Sequence, residues 1–213
     1  MKKVMSMLMV VVLVLAMMTM FAGCGNDADK LVGTWTSEVD MTQIINEELA
    51  ADPTLAGFFT INDFRIVMIM TFNEDGTYCS TVDAESVTTA MEGLLDDMET
   101  GIVAMLQAEL DASGLDMSVE DMLAMSGMSL EDLMAEMKSA LENEGIVEQV
   151  TAEATMEGNY EVKGDKLFLS DGLEYDVDPA IYEVIELDGN TMTWIENVGS
   201  DELGLYPIMF TKS

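Results

Sequence analysis

The sequence predicts a mainly β protein in which eight antiparallel strands close into a barrel, with a helical insertion between the third and fourth strands. Segments with the two-residue alternation of strands, separated by turns rich in Gly and Asn, occupy residues 31–84 and 150–212. Between them, residues 86–144 change to a helical period, with methionines at positions 91, 98 and 105. Eight strands in up-and-down order can close into a barrel.

The N-terminus has the features of an export signal. Residues 1–23 run from Lys2 and Lys3 through an apolar stretch to small residues before Cys24. The ending resembles a bacterial lipobox, whose cysteine is acylated and becomes the mature N-terminus. This resemblance implies a lipid anchor at Cys24, a linker over residues 24–30 and a domain over residues 31–213, on the extracytoplasmic face of the cell membrane. A membrane-spanning anchor is the alternative, because about 18 apolar residues approach the length of a span.

The charge of the chain excludes nucleic acid as a partner. The sequence has 41 acidic and 8 basic residues, a formal net charge of −33, and loss of residues 1–23 would remove two lysines and no acid. Such a surface repels the phosphates of nucleic acids and of anionic lipids, so we expect attachment to the membrane through acyl chains only. No Asp-x-Asp-x-Asp-Gly calcium loop occurs. The acids therefore indicate a solvated exterior.

Strand patterns surround the insertion. The first strand, Leu31–Asp40, carries Trp35 on its apolar side. The second, Phe64–Phe72, is apolar on both faces, so we expect its outer face to be covered. A turn at Asn73–Gly76 leads to the third strand, Thr77–Ala84. Five more strands are expected, one that begins near Ala152 and continues through Gly158–Val162, then Lys166–Ser170, Ile181–Leu187, Thr191–Glu196 and Leu205–Thr211.

Helical patterns fill two connections between strands. Met41–Ala51 has helical spacing and ends before Pro53. Within the insertion, a Ser-x-x-Asp motif occurs twice at an offset of 11 residues, which predicts helix N-caps at Ser118 and Ser129. The insertion either covers the outer face of the second strand or offers an adaptable, methionine-rich surface to another protein.

Several strand motifs resemble those of lipocalin-like domains in bacterial lipoproteins. The matching segments are Leu31–Trp35, Phe72–Tyr78, Gly158–Val162, Leu167–Leu169 and Met209–Lys212. In that family, a Gly-x-Trp motif places an indole across the closed end of the barrel, beneath a basic residue of the last strand. The resemblance implies that Gly33, Trp35 and Lys212 take these positions in a lipocalin-like barrel.

The residue types that catalysis and metal binding require do not form a recognisable set. The chain has no histidine, and no nucleophile elbow or phosphate-binding loop occurs. Cys79 is expected to be a passive thiol, because no histidine can act as its base. Met122, Met125 and Met128 have a spacing that Cu(I) sites use, but the seven methionines of residues 1–23 indicate general replacement of leucine by methionine. We therefore expect no enzyme activity, no cofactor and no metal.

The sequence thus predicts a non-catalytic lipoprotein that binds a small apolar ligand in its barrel. The side chains expected to contact the ligand at the barrel mouth are those of Met68, Met70, Tyr78, Tyr160 and Trp194. The alternative is a structural or interaction lipoprotein with a filled barrel, whose methionine-rich insertion docks another envelope protein. A cavity lined by these side chains favours the first function, and an exposed apolar helix face favours the second.

Overall fold

The computed structural model describes residues 28–143, 145–170, 172–199 and 205–213. The expected export signal of residues 1–23, the lipidation site Cys24 and residues 25–27 of the expected linker lie outside the described residues. Within the described ranges, no helix combines the length and the apolar character needed to cross a bilayer.

Eight strands form a closed antiparallel barrel in chain order, which confirms the predicted fold class. The strands are β1 (Gly33–Asp40), β2 (Arg65–Phe72), β3 (Thr77–Val82), β4 (Met156–Lys163), β5 (Lys166–Leu169), β6 (Tyr182–Asp188), β7 (Thr191–Val198) and β8 (Ile208–Lys212). The helices are α1 (Ala28–Leu31), α2 (Thr42–Ala51), α3 (Ala84–Ala112), α4 (Val119–Met125), α5 (Leu130–Asn143) and α6 (Ile146–Glu153).

The two ends of the barrel have different connections. Because successive strands are antiparallel, the start of β1, the end of β8 and three tight turns lie at one end, here called the Trp35 end. These turns lie at Asn73–Gly76, Gly164–Asp165 and Gly189–Asn190, and each contains a glycine with positive φ. The longer connections β1–β2, β3–β4, β5–β6 and β7–β8 all leave from the opposite end.

The chain divides into two compact units. The barrel unit contains the eight strands apart from the last residue of β1 and the first of β2, and the helical unit contains Asp40–Arg65 and Thr88–Glu148. In the helical unit, the side chain of Asn46 joins α2 to the loop before β2. It donates a hydrogen bond to the Ile61 carbonyl at 2.8 Å and accepts one from the Ile61 backbone amide at 2.9 Å. The Asp97 carboxylate of α3 accepts hydrogen bonds from the Asn62 amide and side chain. The helices of this unit are thus joined to the β1–β2 connection.

Alternate residues of each strand face the barrel interior. In β2 the buried residues are Ile66, Met68, Met70 and Phe72, while the residues between them are half-buried. The interior is occupied by large side chains that include Trp35, Trp194, Tyr78 and Phe210, each 2% exposed or less. Burial of this apolar area is the main contribution to barrel stability.

Several boundaries differ from those predicted, among them that of the last strand, which begins at Ile208 and not at Leu205. Leu31 ends α1 instead of starting a strand, and its carbonyl accepts a hydrogen bond from the Trp35 indole. The helical insertion extends over Ala84–Glu153, beyond the predicted 86–144. Ala152 lies in α6, which ends at Glu153, and not in a strand. Val150 and Ala154 are both buried and lie four residues apart, which is the spacing of one face of a helix. Alternating alanines resembled a strand, but β4 begins only at Met156.

The predicted N-caps of the insertion are confirmed at both repeats. The Ser118 hydroxyl accepts from the Asp121 amide at 3.1 Å, and the Ser129 hydroxyl accepts from the Asp132 amide at 3.0 Å. The second cap is reciprocal, because the Asp132 carboxylate also accepts from the Ser129 amide at 2.9 Å. Hydrogen bonds that the Asp132 carboxylate accepts from the Ser129 hydroxyl and from the Ser129 amide hold the pKa of Asp132 below its usual value. The Ser-x-x-Asp repeat therefore encodes two helix starts.

Candidate functional site

At the Trp35 end, the first and last strands place a lysine over a tryptophan. Trp35 and Lys212 are paired across β1 and β8, and the Lys212 Nζ lies 4.9 Å from the centroid of the Trp35 ring. The Trp35 indole is fully buried and donates to the Leu31 carbonyl at 2.6 Å. Gly33 has a φ of +129°, and a Cβ there would lie 2.7 Å from the Lys212 Cε. Gly33 therefore leaves the space through which Lys212 reaches the ring.

Beside this end, three aromatic side chains pack inside the barrel. Phe72 contacts Tyr160 edge-to-face, with ring centroids 5.0 Å apart, and lies 6.4 Å from Tyr78. The Tyr160 hydroxyl donates to the Asn73 carbonyl, in a turn of the Trp35 end, at 2.9 Å. Tyr160 therefore lies near the Trp35 end of the barrel, and its contact with a ligand stays a prediction. Strand alternation identified its inward direction but not its height along the barrel.

The Tyr78 ring crosses the neighbouring strand. The ring passes over Gly158 of β4, the residue that pairs with Tyr78. The Tyr78 hydroxyl then donates to the Ser170 carbonyl at 3.0 Å. A Cβ at Gly158 would lie 2.0 Å from the Ser170 oxygen and 2.8 Å from the Tyr78 Cε1. The hydroxyls of both predicted tyrosines thus bind backbone carbonyls, and their rings supply apolar surface to the interior.

The other three predicted ligand-contacting residues also face inward. Met68, Met70 and Trp194 are 4%, 1% and 2% exposed. The Trp194 ring lies 4.9 Å from that of Phe210, and its indole donates to the Met192 sulfur at 3.3 Å. Met68 pairs with Val82, at the end of β3 away from Trp35. These side chains form an apolar interior with flexible thioethers among fixed aromatic rings.

A buried carboxylate faces the interior near the end opposite Trp35. Glu183, the second residue of β6, is 2% exposed and pairs with Leu167 of β5, which is fully buried, and with Asn197 of β7. Directly opposed residues share a face of the sheet, so Glu183 points inward. Its carboxylate accepts from the Asn197 side-chain amide at 2.6 Å and from the Tyr206 hydroxyl at 2.7 Å. These donors hold the acid within the barrel wall.

A second polar group lies inside, on the first strand. Ser37 is 4% exposed and lies between the inward-facing residues Trp35 and Val39 of β1. Within the part of the chain that the structure describes, its hydroxyl has no hydrogen-bond partner. A buried hydroxyl without a partner costs about 1–3 kcal/mol. Ser37 is therefore an inward-facing polar group with acceptor and donor capacity available to another molecule.

Sequence reasoning missed Ser37, Glu183 and Asn197, although a signal was present for the first two. Ser37 lies two residues from both Trp35 and Val39, and Glu183 lies two residues from the buried Ile185, so each is on the same face of its strand as these apolar residues. A serine or an acid on an otherwise apolar strand face marks a candidate site. Asn197 could not be placed in this way, because a bulge opposite Val184 and Ile185 shifts the register of β7.

The thiol of Cys79 lies outside this interior group. Cys79 belongs to the outer face of β3 and pairs with Glu157 of β4. Burial raises the pKa of the Cys79 thiol, and the negative charge of Glu157 raises it further. Both effects favour the neutral thiol, which is a poor nucleophile.

The helical unit exposes apolar side chains of its own. Met125, at the end of α4, is 79% exposed, and Leu115 is 50% exposed. A small core of Leu110, Val119 and Leu123 lies beneath, and several half-buried methionines and leucines pack against it. On α5, the apolar residues of the amphipathic face whose burial the structure describes are half-buried, namely Leu130, Leu133, Met134 and Met137.

Comparisons with known proteins add no relative. A scan against protein-family models, a search of curated proteins and a search of solved structures each return no match for this chain.

Proposed function

We propose that this protein is a non-catalytic lipoprotein, anchored at the extracytoplasmic face of the cell membrane through an acylated Cys24, and that its lipocalin-like barrel binds a small apolar ligand. The Gly-x-Trp motif and the Lys212 contact with Trp35 support the lipocalin-like assignment. The Phe-Ala-Gly-Cys sequence before residue 25 supports the anchor.

One observation carries the ligand proposal, namely that the Ser37 hydroxyl lies in an apolar barrel interior and has no hydrogen-bond partner among the described residues. A protein interior that is filled only for stability hydrogen-bonds its buried polar groups. The connections of the Trp35 end are tight turns, so a ligand would enter from the end that carries the longer connections. Met68 and Met70, with three flexible torsions each, can adjust to its shape.

Binding can be measured with 1-aminoanthracene, an uncharged apolar fluorophore. The full-length protein in nanodiscs should enhance its fluorescence in a saturable way, above the signal of empty nanodiscs. Met68→Phe, inside the barrel, should weaken binding, whereas the same change at Met209, 63% exposed on β8, should leave binding unchanged. Absence of saturable binding by the folded protein would contradict the ligand proposal.

The anchor has its own test. Cells fed an alkyne-bearing palmitate should incorporate the label into the full chain, and Cys24→Ala should abolish incorporation. Cys79→Ala is the matched control, because Cys79 lies on a strand and should not affect labelling. Equal labelling of the Cys24→Ala chain would disprove the anchor.

A second candidate function, docking of another envelope protein by the methionine-rich insertion, is favoured by the exposure of Met125. A photo-crosslinking amino acid at position 125 should then yield one discrete adduct in living cells. The same group at Glu136, an exposed polar position of α5, serves as the control. Adducts of equal abundance from both positions would indicate random collision.

A further inference from the structure

The bases of the barrel unit lie at one end of the barrel. The described residues of this unit contain four bases, namely Lys30, Lys163, Lys166 and Lys212. One pair lies where β1 and β8 meet, and the other pair flanks the turn between β4 and β5. Both places belong to the Trp35 end. Within the described part of this unit, the opposite end therefore has acids and no base, as in the β5–β6 connection with its exposed Glu174, Asp176 and Asp178.

The Trp35 end itself is mixed in charge. Beside the lysines it carries exposed acids in α1 and in the turns, namely Asp29, Glu74, Asp75, Asp165 and Asp188. The barrel unit thus has a gradient of charge along its axis, from this mixed end to an end whose described charges are all negative. An anionic surface repels the acidic end more strongly, so the Trp35 end is the one that such a surface would meet.

The two basic pairs lie on opposite sides of the barrel rim. Around the closed barrel, four strands separate the β8–β1 junction from the β4–β5 turn in either direction. At the junction, the Lys212 Nζ donates to the Lys30 carbonyl at 3.0 Å. At the turn, Lys163 and Lys166 are opposed across the two strands. Contacts on opposite sides of the rim can hold this end of the barrel parallel to a flat surface.

The pair at the β4–β5 turn has surroundings typical of side chains at a membrane interface. The Lys163 Nζ lies 5.4 Å from the centroid of the Phe168 ring, and the Lys166 Nζ lies 3.9 Å from that of Tyr182. Lys163 also contacts Glu161, and its side chain is 56% exposed, whereas Phe168 is 5% exposed. Lysine side chains of this kind cover apolar surface with their stems and keep the ammonium group among water or head groups.

The proposed lipid anchor would hold the same end near the bilayer. Cys24 is four residues before Ala28, the first residue of α1, so the chain between them reaches at most about 14 Å. The Trp35 indole binds the Leu31 carbonyl of α1, which fixes this helix at the Trp35 end. The screening length at physiological ionic strength is about 8 Å, so lipid phosphates act on charges of this end. The eight residues of β1, about 26 Å when extended, separate the opposite end from them.

We propose that the Trp35 end of the barrel docks on a phospholipid bilayer, with Lys163 and Lys166 against lipid phosphates. This inference rests on the proposed anchor at Cys24 and adds the orientation of the barrel. The acyl chains supply the attachment, and the two basic pairs determine which end meets an anionic head-group surface. The end with the longer connections then faces the aqueous compartment, so a ligand would enter the barrel from water and not from the bilayer.

Energy transfer to the bilayer measures this orientation. The acylated full chain with Cys79→Ala carries a thiol-linked donor dye at one of two exposed positions. These are Asn190→Cys, in a turn of the Trp35 end, and Ala180→Cys, in the β5–β6 connection. The sulfur of acylated Cys24 is a thioether and does not react with the dye. With a rhodamine-labelled lipid as acceptor, transfer from position 190 should exceed transfer from position 180. The excess should be larger in vesicles of phosphatidylglycerol and phosphatidylcholine than in vesicles of phosphatidylcholine alone.

Variants then assign this effect to the lysines. Lys166→Gln should reduce the part of the excess that phosphatidylglycerol adds, and a further Lys163→Gln should abolish it. Gln149→Glu is the matched control, because it lowers the net charge by the same one unit at an exposed position of the β3–β4 connection and should not reduce the excess. Near-ultraviolet circular dichroism establishes that each variant is folded.

The outcomes separate the docking from the anchor. A folded double lysine variant that keeps the excess of the parent chain would overturn the contacts with phosphates. Equal transfer from the parent chain in both kinds of vesicle would mean that the docking proposal is wrong, while the anchor stands because the chain remains bound. Retention of a Cys24→Ala chain on vesicles to the same extent as the parent would instead contradict the anchor itself.

Discussion

At the scale of single residues, Gly158 decides whether the aromatic interior can form. Tyr78 must cross β4 to reach the Ser170 carbonyl, and only a residue without a Cβ leaves the space for it. The Phe72 and Tyr160 rings pack beside Tyr78, so its position determines theirs. A glycine in the middle of a strand, usually unfavourable, is here required because a Cβ would meet the Ser170 carbonyl and the Tyr78 ring.

Gly158→Ala is therefore expected to lower the free energy of unfolding by about 3 kcal/mol, through overpacking and loss of the Tyr78 hydrogen bond. Urea unfolding followed by tryptophan fluorescence measures the change. Tyr78→Phe separates the two causes, because it removes the hydrogen bond alone and should cost about 1 kcal/mol. A Gly158→Ala protein as stable as the parent would show that the ring does not cross the strand at this point.

The second residue-scale prediction concerns Cys79. Because burial and Glu157 raise the pKa of the thiol, folded protein at pH 8 should react with Ellman's reagent more slowly than unfolded protein. Glu157→Gln should accelerate the folded-state reaction, since it lowers the thiol pKa, and Glu74→Gln in an exposed turn should not. The Cys79→Ser chain gives the background of the assay. Equal rates for both glutamine variants would assign the slow reaction to burial alone.

At the scale of elements, the long helix α3 contains two glycines in different surroundings. Gly101 lies against Phe59, where a Cβ would be 2.4 Å from the ring, whereas a Cβ at Gly93 would meet nothing nearer than a carbonyl oxygen at 4.0 Å. Gly101 is therefore a packing residue, and the helix continues through it to Ala112.

The same substitution at these two glycines should have opposite effects. Gly93→Ala should stabilise the protein by about 0.5–1 kcal/mol, because alanine has the higher helix propensity. Gly101→Ala should destabilise it by about 2 kcal/mol, because Phe59 must move. Thermal unfolding monitored at the helical circular dichroism band measures both. A gain of stability for Gly101→Ala would indicate that Phe59 does not occupy this position.

The elements also show how far sequence reasoning reaches. Period-two alternation and turn residues predicted eight strands and the inward direction of Met68, Met70 and Trp194, because those signals are local. The height of Tyr160 was not predictable, since it depends on which residues pair between strands. Asn197 faces Glu183 only after a bulge, which no local pattern revealed.

At the scale of the whole molecule, two electrostatic effects of opposite sign compete. The described ion pairs, such as Arg65 with Asp63 at 3.0 Å and Lys138 with Glu92, are exposed and contribute about 0–1 kcal/mol each. The opposing effect is the mutual repulsion of the 41 acidic side chains, which only 8 basic residues offset. Because the acids greatly outnumber the possible pairs, repulsion should dominate.

Salt should therefore stabilise this protein. Raising sodium chloride to about 0.5 M shortens the screening length to a few Å and should increase the free energy of unfolding by about 1–2 kcal/mol. Urea unfolding at several salt concentrations measures the trend, and a decrease would mean that the ion pairs outweigh the repulsion.

Calcium and magnesium chloride at equal ionic strength are the control. Within the described residues no group of three or more Asp, Glu or Cys side chains is arranged to hold a metal ion, so the two salts should act equally. A stabilisation specific to calcium would instead indicate a selective site and assign part of the acidic surface to metal binding.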